Sequence, residues 1–338
     1  MRESLINTIF IGVSKTLNID SMNKSKCPAC KSTKTVKNGR HKGIQTFKCT
    51  ECGYRFRNMS IPSDDKLWGL YQDGKQTVAE LSELFHVSES TIKRRLRQID
   101  IEWVQPDLSG KSGFVHLDAT YWGHNWGVMA AIDSISGQPL YLAFIHSETN
   151  QDYKDAVQSI LARGYCISGI IIDGKQTLFS IFSEYKIQMC QFRIKQIVRR
   201  YLTNNPRLRA SRALKELVGT LTFADKATFV SQYEVWKETW KETLNHRSYL
   251  KNGKTRFTHK RLRSAMRSLD FYLEYLFTYQ DPMCEGMPNT NNKIEGTFTD
   301  LKNNLNNHSG MTIENRKRFI NGFFLALDGR LHNKSEGR

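Results

Sequence analysis

Val115-His116-Leu117-Asp118-Ala119-Thr120 and Ile170-Ile171-Ile172-Asp173-Gly174 decide how this chain folds. Each is a short apolar run closed by one carboxylate, the pattern of a buried strand that delivers an acid at its end. An ionised carboxylate in apolar surroundings is costly unless a cation or metal meets it. If the two strands are neighbours, their acids converge and can share divalent ions.

Around these two runs the pattern continues outward. Phe114 to Thr120, Trp126 to Ile132 and Pro139 to His146 read as strands, with Ser136-Gly137 as turn residues, and together they predict an antiparallel meander. Asp152 to Arg163 has helical spacing at Ala156, Val157, Ile160 and Leu161, and Gly164 follows as a C-terminal cap. A strand over Ile167 to Ile172, a helix over Gln176 to Glu184 and a strand over Ile187 to Phe192 complete the series. This order predicts an α/β catalytic domain of the ribonuclease H-like kind over 111–338. The Lys/Arg/Glu-rich stretch at about 203–287 reads as an all-helical insertion. Trp236 and Trp240, four residues apart, are core residues in the plain reading and base-stacking residues in the sharper one. Beyond it, Asn291 to His308 predicts a helix with Ile294, Phe298, Leu301 and Leu305 on one face, and Ile313 to Leu327 another. Glu295 lies beside that apolar stripe and can project toward the two aspartates. Thr299 and Lys302 share its face, which suits contact with phosphate.

The first third of the chain has a different composition. From Asn23 to Asn58 ten Lys and Arg face the single acid Glu51, and the whole chain carries a formal charge of +17, so the partner expected is a polyanion. Cys27-Pro28-Ala29-Cys30 and Cys49-Thr50-Glu51-Cys52, eighteen residues apart, have the spacing of a four-thiolate zinc site. Such a site is structural, since four cysteines leave no open position for water. The other three cysteines, Cys166, Cys190 and Cys284, are scattered, which argues against a disulfide framework. Thr77 to Phe85 then reads as a helix, His86-Val87 as a turn, and Ser88 to Arg97 as a recognition helix capped by Ser88. Ile92 and Leu96 point inward there. Ser90, Thr91, Lys93, Arg94 and Arg97 are left for base edges and phosphates of double-stranded DNA. The expected divisions are an N-terminal extension over 1–22, with Met22 as a natural start, a zinc ribbon over 23–60, a helix-turn-helix over 61–105 and a linker near Gln105 to Gly110. The apolar run Ile6 to Val13 is too short for a membrane span, so no membrane partner is expected.

Three stretches, Leu117-Asp118-Ala119-Thr120-Tyr121-Trp122-Gly123, Ile172-Asp173-Gly174, and Asn291-Asn292-Lys293-Ile294-Glu295-Gly296 followed by Leu301-Lys302, resemble the DDE transposases of bacterial insertion sequences, in the Mutator-like group, as a variant with a zinc-binding N-terminus. The resemblance runs from Cys27 to about Phe324. It implies that Asp118, Asp173 and Glu295 are the catalytic acids and hold two Mg²⁺ or Mn²⁺ ions, and that the reaction is cleavage at element ends followed by strand transfer. It further implies terminal inverted repeats and target DNA as partners, a homodimer or larger assembly on DNA, and a cytoplasmic, nucleoid-associated location. One departure stands out. The group tends to carry Cys-x-x-His after the second aspartate, and here the stretch is Cys190-Gln191-Phe192-Arg193. Arginine cannot act as a neutral ligand or proton relay as histidine can. Two further readings therefore stay open: an impaired or domesticated transposase that regulates by binding DNA, and a metal-dependent structure-specific nuclease.

Overall fold

The computed structural model describes residues 26–41, 44–57, 62–123, 126–250 and 252–335; the expected extension over 1–22 lies outside them. Among the described residues two compact units are distinguished, one built from the N-terminal segments up to Gln98 and the other essentially from Ile99 onward.

The first unit opens with a three-stranded antiparallel sheet of β1 (Thr35–His41), β2 (Ile44–Cys49) and β3 (Arg55–Arg57), in the order β1-β2-β3. Its apolar content is small. Phe47 stacks on Phe56 with ring centres 5.9 Å apart, and Tyr54 on Phe56 at 6.5 Å. A sheet this small needs a staple from elsewhere. Three helices follow: α1 (Asp64–Gln72), α2 (Val78–Leu84) and α3 (Glu89–Gln98). Thr77 caps α2 in a reciprocal box with Glu80, so two otherwise unpaired N–H groups are satisfied at once. The turn between α2 and α3 passes through His86 at φ +51°, and Thr91 N–H donates to Ser88 Oγ at the start of α3. Leu67, Leu81, Ile92 and Leu96 form the buried face.

The second unit is built on β4 (Ser112–Tyr121), β5 (Gly127–Asp133) and β6 (Pro139–Ile145), then α4 (Asn150–Ala162), β7 (Cys166–Ile172), α5 (Gln176–Ile181), β8 (Ile187–Met189) and α6 (Gln191–Leu202). The strands make one mixed sheet in the order β6-β5-β4-β7-β8, antiparallel across β4, β5 and β6, parallel from β4 to β7 and β8. All seven residues of β5 are buried, as expected where both faces of a sheet are covered. Ala156, Val157 and Ile160 of α4 and Ile194 and Val198 of α6 join Leu117, Met129, Ile170 and Ile172 of the sheet in one core. Gly164 follows α4 at φ +85°, with Ser109 Cα and Oγ each 2.9 Å from where a Cβ would stand, so a side chain is excluded twice over.

Two expectations are corrected in this unit. The strand expected over Ile187 to Phe192 ends at Met189; Cys190 is the N-cap of α6 and Gln191 its first residue. The run Phe192-x-Ile194-x-x-Ile197-Val198 has the helical period, and it takes the chain over one residue after the last pairing with β7, Ile172 to Met189. The insertion is not all-helical. Between α7 (Arg209–Gly219), α8 (Lys226–Thr239) and α9 (Lys241–Asn245) on one side and α10 (Lys260–Tyr272) on the other stands a hairpin of β9 (Arg247–Tyr249) and β10 (Thr255–Phe257). Asn252-Gly253 supplies its turn, with Gly253 at φ +76°. Trp236 is buried, its Nε1 donating to Ala210 O at 3.1 Å, and Trp240 packs against the same core, so the plain reading of these two residues holds. α11 (Asn292–Asn306) and α12 (Ile313–Ser335) close the chain, α11 lying against β4 and α12 against β6. Among the described residues no helix is long and apolar enough to cross a membrane.

Candidate active site and nucleic-acid interface

The register of β4 against β7 puts two of the acids side by side. His116 pairs with Ile171 in the parallel ladder, and Asp118 and Asp173 each lie two residues further on. Residues opposite each other in a parallel pair point to the same face, and a step of two preserves that face. The third acid reaches the same place by a different route. His116 Nδ1–H donates to Asn291 Oδ1 at 2.6 Å, a fully buried contact between β4 and the N-cap of α11. Asn291 N–H in turn donates to Cys190 Sγ at 3.3 Å, and Lys293 Nζ donates to Ser134 O at 3.0 Å. One helical turn beyond Asn291 comes Glu295, one pleat period beyond His116 comes Asp118, and the two steps are nearly equal in length.

The structure thus brings Asp118, Asp173 and Glu295 within electrostatic reach of one another, and it adds a fourth member. Arg193, in the first turn of α6, donates through Nε to Asp173 Oδ2 at 2.8 Å and again through Nη2, and Nη2 stands 3.9 Å from Glu295 Oε1. Burial and the adjacent Asp173 push the Asp118 carboxyl well above the usual range, and burial followed by Asp173 raises Glu295 as well. Among the described residues, the buried Asp173 Oδ1 has no hydrogen-bond partner. Asp118 and Glu295, both raised by burial beside Asp173, and the buried Asp173 Oδ1 make an all-oxygen set of a kind that would suit Mg²⁺ or Mn²⁺. At the rim, Tyr153 donates its hydroxyl to Glu148 Oε1 at 2.9 Å and Lys175 Nζ lies 3.4 Å from the same oxygen. Burial pushes the Tyr153 hydroxyl up, so it stays a donor.

Thr299 and Lys302 lie one and two turns past Glu295 on α11; Thr299 Oγ1 bonds back to Glu295 O at 2.8 Å, and Lys302 is half-buried. Asp133, Asp152 and Glu285 do not belong to the cluster. Asp133 serves its turn, accepting from Ile135 and Ser136 N–H and from Tyr165 Oη, Asp152 closes the capping box of α4, and Glu285 is exposed after a short 3₁₀ turn. Sequence reading missed His116, Asn291, Tyr153 and Lys175. A histidine two places before the aspartate in an otherwise apolar strand was the available signal for the first.

In the first unit the four cysteines gather. Cys27 Sγ lies 3.5 Å from Cys52 Sγ and Cys30 Sγ 3.6 Å from Cys49 Sγ, and all four sulfurs are within 4.8 Å of one another. A tetrahedron with metal–sulfur bonds of about 2.3 Å has edges of roughly 3.8 Å, so the set fits a Zn²⁺ ion. Backbone N–H groups of Cys52 and Glu51 draw the Cys49 thiol down to about 7, whereas Cys30, crowded by the other sulfurs, is pushed up to about 12. Cys27 and Cys49 are buried, Cys30 and Cys52 exposed.

On α3, Ser90, Lys93, Arg94 and Arg97 are exposed and Thr91 is half-buried, its hydroxyl 3.0 Å from Ser88 Oγ. Lys93 is held by Glu89 at 3.0 Å, and Arg95 is paired with Asp64 on α1. Among the described residues, Arg94 and Arg97 are exposed cations of α3 with no carboxylate within 4.0 Å.

No protein-family model and no curated protein matches the sequence. Among solved structures the chain is similar to a chain of the Drosophila P element transposase strand transfer complex, with a TM-score of 0.40 at 12% identity over 83% of this chain and 95% of that one. It is also similar to a chain of a simian T-cell lymphotropic virus intasome in complex with PP2A regulatory subunit B56 gamma, with a TM-score of 0.21 at 14% identity over 47% of this chain and 69% of that one. Neither overlap is close enough to assign a fold or an activity.

Proposed function

We propose that this chain is a DDE-type DNA transposase with a ribonuclease H-like catalytic domain, cleaving phosphodiester bonds at the ends of its element and joining the freed 3′ ends to target DNA. The observation that carries the reading is the meeting of Asp118, Asp173 and Glu295, drawn from β4, β7 and α11, at one edge of a sheet with the order β6-β5-β4-β7-β8. The basic zinc-binding and helix-turn-helix segments, and the formal charge of +17, supply the affinity for duplex DNA.

Asp118, Asp173 and Glu295 are the residues that would hold the metal. Bound there, Mg²⁺ or Mn²⁺ lowers the pKa of water and offsets charge on a phosphodiester. The protein's own contributions are separable. His116 and Asn291 fix the helix of Glu295 against the strand of Asp118, and Arg193 neutralises Asp173 until another cation takes its place. Released from Asp173, Arg193 keeps a guanidinium within reach of the same edge, where its planar donors suit a phosphate.

The test is a cleavage and joining assay with the full chain, Mn²⁺ and linear DNA carrying the inverted repeats that flank the coding region. Asp118→Asn and Asp173→Asn should abolish both steps while binding to the same DNA persists. Joining by either variant would sink the reading. Cutting by the parent chain without joining would identify a nuclease instead.

A further inference from the structure

Two stretches of the second unit contain no acid at all. From Tyr185 to Lys215 there are nine Lys and Arg and no Asp or Glu, and from Thr243 to Leu269 there are eight and again none. They are far apart in sequence but adjacent in space. α10 packs along α6, and Arg261 Nη2 donates to Arg200 O at 3.0 Å. Where they meet, a cleft of about 620 Å³ is lined by Tyr201, Arg207, Arg256, His259, Lys260 and Arg261, among others. A second cleft of about 550 Å³, lined by Phe192, Lys195, Arg199 and Arg200, adjoins it and shares Thr203.

These clefts lie in line with the acid cluster. Arg193, Gln196, Arg199, Arg200 and Thr203 recur at three- and four-residue intervals, so they share one face of α6. Arg193 at one end touches Asp173, and Thr203 at the other opens the cleft with Arg256 and Lys260. Ten residues at about 1.5 Å each span about 15 Å, the axial length of four to five base pairs at about 3.4 Å each.

The cations along this lane are unspent. Arg199, Arg207, Arg256 and Lys260 are all exposed, and among the described residues none of them reaches a carboxylate within 4.0 Å. Others are held rigid without being neutralised: Arg263 and Arg247 cover the Phe257 ring at 3.6 and 4.5 Å, which stiffens the hairpin and keeps its charge. Two of the seventeen, Lys186 and Arg193, meet Asp281 and Asp173, and the like charges left in the two segments repel one another unless a polyanion lies between or across them.

From this juxtaposition we propose that α6, the β9–β10 hairpin and the start of α10 form a second track for duplex DNA, distinct from the helix-turn-helix, which holds the phosphate backbone as it leaves the acid cluster. The proposal rests on the reading that the acids act on DNA. It reads no base sequence, because every group offered is a cation for a phosphate.

The test measures binding rather than chemistry, so it stays informative if the catalytic reading fails. The full chain and the variant Arg199→Gln/Arg207→Gln/Arg256→Gln/Lys260→Gln are titrated onto a fluorescent 40-base-pair duplex, without added divalent cation, over a series of salt concentrations. The variant should bind at least tenfold more weakly near 0.1 M salt, and its slope of log K against log salt should be shallower by about 3 to 4, roughly 0.9 for each phosphate no longer neutralised. The companion Arg199→Lys/Arg207→Lys/Arg256→Lys, which keeps the charge, should bind like the parent. An unchanged affinity and slope in the glutamine variant, with a melting temperature equal to the parent's, would overturn the proposal. So would an equal loss in the charge-preserving variant.

Discussion

The Arg193 guanidinium sits on Asp173 Oδ2 through both Nε and Nη2, with Glu295 3.9 Å from the same Nη2. On the proposed reading, a metal held by the acids would therefore compete with this side chain for one carboxylate. Arg193 is about two-fifths exposed, and its head can leave Asp173 without unpacking α6. Replacing it by glutamine should lower the melting temperature of the metal-free protein at neutral pH, because the acids lose their counter-charge. The same change should raise Mn²⁺ affinity by about tenfold, about 1.4 kcal/mol. Calorimetric Mn²⁺ titration and thermal melts of both proteins read the two effects; a variant that binds Mn²⁺ no more tightly than the parent would show that Arg193 does not compete.

His116 is fully buried, and burial first of all holds its imidazole down to about 4 from an ordinary 6.5. The sign follows from linkage. Between 6.5 and 4 the unfolded chain takes up a proton that the folded chain refuses, so stability present above 6.5 is lost as the pH falls toward 4. From pH 7 to pH 5 the loss from this one group is about 2 kcal/mol. Urea melts at the two pH values should show a greater loss in the parent than in His116→Gln; equal losses would mean that the imidazole takes up its proton as readily in the fold as in the unfolded chain.

Four sulfurs gathered within 4.8 Å predict one zinc per chain. Cys49→Ser should abolish it, as measured by elemental analysis of the purified protein. Loss of the metal should also loosen the Phe47, Tyr54 and Phe56 rings, seen as a change in near-ultraviolet dichroism, since the three-stranded sheet has little else to hold it. Full zinc content in the variant would count against a four-thiolate site.

The two arginines of α3 with no acidic partner among the described residues, Arg94 and Arg97, should behave differently from Arg95, which has one. Arg94→Ala and Arg97→Ala should each weaken DNA binding and flatten its salt dependence by about 0.9. Arg95→Ala, which breaks the pair with Asp64, should leave that slope alone and cost less than about 1 kcal/mol of stability. Anisotropy titrations over a salt series distinguish the three, and an Arg95 effect as large as the others would contradict this assignment of the helix face.

What was legible in the sequence was periodic or spaced. The apolar runs of β4 and β7 and the Cys-x-x-Cys pairs each report a local geometry, and both strands form, although β4 runs on past Asp118 to Tyr121 instead of ending at the acid. What escaped depends on contacts between distant segments. Cys190 to Phe192 looks like the end of a strand by composition, yet it starts α6, because pairing with β7 stops at Met189. The hairpin at Arg247–Phe257 was hidden among helical patterns, since its strands are three residues long and mostly polar, too short for alternation to register. No local signal joins His116 to Asn291, 175 residues away. That contact exists only once β4 and α11 have met.

Glu295 reaches the aspartates only when α11 has docked, and the whole insertion separates it from Asp173 in the chain. At roughly 5 to 20 residues per second, a ribosome has made both aspartates and the basic N-terminal segments several seconds or more before the glutamate. On the proposed reading, a nascent or prematurely terminated chain can already grip a chromosome but holds an incomplete blade. On that reading, the order in which the gene is read would limit the damage that unfinished copies can do.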